Sequence, residues 1–103
     1  MGINSPYGKE LTGAEAERIG NFRVRLASAG NTDFQQDSRR SLPGVPRKTV
    51  RTKTLREAAS LCRAYISEYE LGAGNWIGGD VTENGVLVAR ISYNGRIWDI
   101  PND

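Results

Sequence analysis

Seven basic side chains, Arg39, Arg40, Arg47, Lys48, Arg51, Lys53 and Arg56, fall between Ser38 and Arg56 without one carboxylate among them. That window carries +7. The rest of the chain holds seven basic and twelve acidic residues, so the net charge of +2 conceals a polarised molecule. Cations dispersed in this way can track a phosphate backbone or dock on an acidic protein groove; they also suit a solvated loop and a charged edge strand that resists aggregation.

Other residues with chemical potential point away from catalysis. The 103 residues include no histidine, which removes the usual base near neutral pH, Ser-His and Cys-His nucleophile pairs, and His-containing zinc sites. The single cysteine, Cys62, allows neither an internal disulfide nor a CxxC site, and it falls on the apolar stripe of a helical segment, where a thiol is usually a small buried hydrophobe. Asp80, Glu83 and Asp99 could form an acid/base pair, but Glu83 sits at a turn tip and Asp99 is expected opposite Arg90. The glycines of Gly72-Ala73-Gly74-Asn75-Trp76-Ile77-Gly78-Gly79 follow a helix and enter a strand. A phosphate loop needs the reverse order, so a helix cap and a close backbone approach explain them better. No cofactor and no metal site is expected.

The elements that position these groups follow from periodicity. Thr12 to Glu15 has the spacing of a capping box and opens a helix of one or two turns, ended by Gly20. Phe22, Val24 and Leu26 alternate with Arg23 and Arg25, the pattern of a strand with one buried and one solvated face. Residues 28–46 read as a long basic loop, and Lys48 to Lys53 as a short strand whose charges suggest a sheet edge. Thr54 to Glu57 is a second capping box. It introduces Leu55, Ala58, Ala59, Cys62, Tyr65, Ile66 and Tyr69 at helical spacing, with Gly72 as the expected stop.

Asn84-Gly85 and Asn94-Gly95 are hairpin signals that make the last thirty residues a three-stranded meander. A two-residue turn at Asn94-Gly95 places Ile91 opposite Trp98 and Arg90 opposite Asp99. A three-residue loop over Glu83 to Gly85 places Val81 opposite Leu87 and Ile77 opposite Ile91. These registers send Arg23, Arg25, Trp76, Val88, Arg90 and Ile97 to the outer face. The fold class is α+β: one antiparallel sheet, from the N-terminal strands and the C-terminal meander, packed on one main amphipathic helix. Residues 1–11 are read as a mobile terminus and 12–103 as a single domain.

Ile91-Ser92-Tyr93-Asn94-Gly95-Arg96-Ile97-Trp98 and the entry at Asn75-Trp76 resemble small uncharacterised accessory proteins of bacterial chromosomes and mobile elements. The resemblance covers roughly the last half of the chain and implies no activity and no site residue. With no apolar run near the roughly 20 residues that span a bilayer and no charged-then-apolar start, a cytoplasmic protein without membrane contact is expected.

The functional expectation is a non-enzymatic binding module that occludes or recruits a macromolecular partner, such as a phage or mobile-element inhibitor of a host defence complex. Its candidate binding residues are Arg39, Arg40, Arg47, Lys48, Arg51 and Lys53, with Arg23, Arg25, Trp76 and Arg90 from the outer face. A protein with an acidic surface is the preferred partner. The alternative is a nucleic-acid-binding accessory protein using residues 39–56, and the oligomeric state stays open.

Overall fold

Alternation at Phe22, Val24 and Leu26 produces strand β1 (Phe22–Leu26), with its three apolar side chains buried and Arg23 and Arg25 exposed. The computed structural model describes residues 8–30 and 40–100, so Arg39 and the middle of the basic loop lie outside the described residues. Strands β2 (Lys48–Thr52), β3 (Asp80–Glu83), β4 (Val86–Ile91) and β5 (Ile97–Asp99) complete one antiparallel sheet of order β2-β1-β3-β4-β5. The expected α+β architecture is therefore present, with β2 at an edge. The opposite edge, β5, is bordered by residues 8–11: the Gly8 amide donates to the Asp99 carbonyl and the Leu11 amide to that of Ile97, both at 2.8 Å. Pairing thus begins before residue 12, where the sequence reading starts the domain.

Helix α2 (Leu55–Glu68) covers one sheet face. Its apolar stripe, Leu55, Ala58, Ala59, Cys62, Tyr65 and Ile66, is buried against Phe22, Val24, Val81, Ala89, Ile91 and Ile97. Burying each large apolar side chain contributes about 1.5–3 kcal/mol. The expected capping box forms in half: the Glu57 amide donates to Thr54 Oγ1 at 3.0 Å, but the Glu57 carboxylate accepts at 2.8 Å from the amide of Lys53, the residue before the cap, and not from that of Thr54.

At the other end the stop is Glu70 and not Gly72. Glu70 holds φ 51, its amide donates to Ser67, and the Leu71 amide reaches back to Ile66, which is a Schellman closure built on a non-glycine residue. The earlier capping box is also absent. Helix α1 (Ala14–Glu17) starts from Gly13 at φ 57 with no side-chain cap.

Both hairpin registers differ from the sequence expectation. Asn84 (φ 51) and Gly85 (φ 85) form a two-residue turn that pairs Glu83 with Val86 and Thr82 with Leu87, and an extra residue, Val88, then bulges so that Val81 faces Ala89. The bulge turns Val88 inward, half-buried against the core. Around Gly95 (φ 87) the loop has three residues. The Ser92 amide donates to Arg96, so Ile91 pairs with Ile97 and Arg90 with Trp98. Ile97 is consequently buried, and Trp98 takes the outer face in its place.

The glycine run makes a short 3-10 turn (Ala73–Asn75) and then a close backbone crossing. A Cβ on Gly78 would lie 2.6 Å from the Arg25 carbonyl oxygen, and one on Gly79 2.1 Å from that of Ile91. No helix among the described residues is long and apolar enough to cross a membrane.

Candidate binding face

One face of the sheet packs on α2, and no helix among the described residues covers the other, the open face. Register places Thr49 and Arg51 of β2, Arg23 and Arg25 of β1, Asp80 and Thr82 of β3, Leu87 and Arg90 of β4, and Trp98 of β5 on that open face. Arg23 is directly opposite Arg51, and Arg25 is opposite Thr49, diagonal to Arg51.

Backbone orientation brings the first pair closer still. The Arg25 carbonyl accepts from Gly79, so Arg25, and by the two-residue alternation Arg23, turn their hydrogen-bonding groups toward β3. Arg23 and Arg51 therefore form a non-hydrogen-bonded pair, the kind in which side chains approach most closely, with Cα atoms typically about 4.5 Å apart. Like charges so placed destabilise a sheet. Arg23, Arg25 and Arg51 form no ion pair or side-chain hydrogen bond with a described residue, and Asp80 beside them on β3 is bonded to Arg90.

The remaining cations are engaged or face elsewhere. Arg90 shares the face but is paired with Asp80 at 2.9 Å, not with Asp99 as its expected register implied. Arg47 donates through Nε and Nη2 to the Ser28 carbonyl at 3.3 and 3.1 Å, pinning the end of the basic loop to the continuation of β1. Arg56 is paired with Glu17. Lys48 lies on the helix side of the edge strand, opposite Leu26, and Lys53 follows the strand; both are exposed. The Arg40 carbonyl accepts from Gly30, and its exposed side chain stands before the strand. The contiguous basic segment is thus divided by the fold, and among its described residues only Arg51 meets the β1 arginines.

Trp76 is not on the open face. It follows the 3-10 turn, bridges Ser28 beyond β1, donates from Nε1 to the Ile91 carbonyl at 3.3 Å and rests its ring 6.0 Å from that of Tyr65 on α2. The aromatic expected beside the arginines is therefore core support. Trp98 occupies the face instead, at the far side of the sheet, three strands from β1. Thr49 and Thr82 were missed by sequence reasoning. Strand alternation could have placed Thr49, whereas Thr82 depended on the β3 register.

The other candidate groups are buried or already paired. Cys62 is fully buried, and burial pushes its thiol up to about 12, leaving no thiolate near neutral pH. Glu83 accepts both terminal nitrogens of Arg18 at 3.0 and 2.9 Å, which hold its carboxyl below the ordinary range. A groove of about 670 Å³ runs between α1, Leu55 and Val88, but Glu15 at its mouth is paired with Lys9, and Arg18 with Glu83. No cluster of three or more His, Cys, Asp or Glu side chains among the described residues could hold a metal ion. Comparison of the chain with protein-family models, curated proteins and solved structures gave no match.

Proposed function

We propose that the protein is a non-enzymatic binding module that occludes or recruits a partner protein by docking its open sheet face on an acidic surface. The observation that carries this reading is the trio Arg23, Arg25 and Arg51, three exposed guanidinium groups on two adjacent strands, none of them in an ion pair among the described residues, while Asp80, the carboxylate next to them on β3, is taken by Arg90. Such crowding opposes folding, so its counter-charge is best supplied from outside. Arginine presents a planar fork of donors matched to carboxylates, and Thr49 and Thr82 add hydroxyls beside it. Single-stranded nucleic acid is the weaker fit, because its bases need aromatic platforms among the cations. Trp76 is half-buried against the core and Trp98 lies at the distant side of the sheet.

Labelled poly-glutamate, a labelled DNA duplex and a labelled single strand, titrated by anisotropy across a salt series, test the reading. Poly-glutamate should bind at low salt, and Arg23→Glu combined with Arg51→Glu should abolish binding by slowing association. Silence toward poly-glutamate would overturn the proposal. So would tighter binding to duplex, with log affinity falling near 0.9 per phosphate neutralised, which would give the function to nucleic acid.

A further inference from the structure

We infer that the partner contributes an extended segment of alternating acidic and apolar residues, which joins the sheet as a sixth strand along β2. The inference rests on the proposed docking of an acidic protein and names how that docking is made. Strand β2 is an edge of the sheet. Since Arg25 turns its backbone groups toward Gly79 and β3, its β2 neighbour Thr49 and, by alternation, Arg51 turn theirs away from β1. The amide and carbonyl of both residues therefore point to the open edge. No hydrogen bond from a described residue occupies them.

Thr49 and Arg51 also carry their side chains on the arginine face, so backbone ladder and charge selection coincide at the same two positions. A residue opposite Arg51 meets its guanidinium directly. A glutamate opposite Thr49 can reach past that short side chain to Arg25 on the next strand. Between them, the residue opposite Val50 turns to the helix side, where Val50 is half-buried against the core. The segment that fits reads acidic, apolar, acidic over three successive residues. Lys48 and Lys53 flank the site and favour further carboxylates beyond each end.

A second copy of this chain is a poor occupant. Edge pairing of two β2 strands would bring Lys48, Arg51 and Lys53 of one copy against the same cations of the other, which is how basic edges resist self-association.

The probe is a labelled Glu-Val-Glu-Val-Glu peptide, its counterpart with backbone N-methyl groups at alternate residues, and ¹⁵N-labelled protein. Strand addition predicts slowed amide exchange at Thr49 and Arg51 on peptide binding, and at least about tenfold weaker binding of the N-methylated peptide, since lost ladder hydrogen bonds contribute about that factor together. Thr49→Pro removes one edge donor and should weaken the parent peptide similarly, whereas proline on an edge whose amide faces solvent leaves the fold intact. Equal binding of both peptides overturns strand addition and leaves face docking standing. Failure of both peptides and of poly-glutamate overturns the docking proposal as well. A concentration-dependent dimer of the free protein, with protected Thr49 and Arg51 amides, would assign the edge to a second copy and refute the inference.

Discussion

Replacing Arg51 by glutamate should make the fold more stable while destroying its binding face. In the parent, the guanidinium of Arg51 faces that of Arg23 across a non-hydrogen-bonded pair, and Arg25 lies on the diagonal. Two unit charges about 6 Å apart in water repel by about 0.7 kcal/mol. A carboxylate at position 51 converts the repulsion into an attraction that measured exposed pairs put at about 0.2–1 kcal/mol. The swing is therefore about 1 kcal/mol at low ionic strength, a rise in Tm of roughly 4–8 °C for a domain of this size. Thermal and urea unfolding of parent and Arg51→Glu would measure it, repeated in about 1 M salt, where the Debye length falls to about 3 Å and the gain should largely vanish. An unchanged or lower Tm at low salt would refute the claim that these arginines oppose folding, and a gain indifferent to salt would show that its origin is not electrostatic. Either result would remove the physical ground for assigning the trio to a partner.

Glu70→Gly should stabilise the protein by about 1 kcal/mol in urea unfolding, because Glu70 holds the left-handed position of a Schellman closure that glycine adopts without strain. Gly79→Ala should lower stability by about 3 kcal/mol or more, since its φ of 99 and the Ile91 carbonyl oxygen at 2.1 Å leave no room for a methyl group. Gly44→Ala is the control: it shares a positive φ (77) with nothing within 4 Å, and should cost about 1 kcal/mol in the same assay. Cys62→Lys should leave the chain unfolded by circular dichroism, as an unpaired charge in that core site costs several kcal/mol against a total of about 5–15. With the folded thiol raised to about 12, its stabilising contribution is complete below the unfolded pKa of about 9 and is lost as pH rises toward about 12. The stability gap between parent and Cys62→Ala should therefore narrow over that alkaline window in denaturant titrations.

Local periodicity alone determined the elements that a single stretch of chain can specify. The two-residue alternation from Phe22 to Leu26 and the helical stripe from Leu55 to Ile66 each bury one face whatever lies opposite, and Thr54 with Glu57 satisfies the helix start from within the same turn. The charge of β2 correctly marked an edge, because a strand rich in Lys and Arg has nowhere to pair on its outer side. The positions of Arg23 and Arg25 on the open face followed from that alternation.

Their junction with Arg51, the pairing of Arg90 with Asp80 and the inward turn of Trp76 were decided by tertiary structure. Each depends on strand register, and a shift of one residue exchanges the two faces of a strand. The bulge at Val88 and the third residue in the loop closed by Gly95 supply two such shifts, and both arise from how Ala89, Ile91 and Ile97 reach the core beneath α2. Asn-Gly marks where a chain turns without fixing how many residues the turn uses, because packing between strands distant in sequence selects among loops of similar local energy.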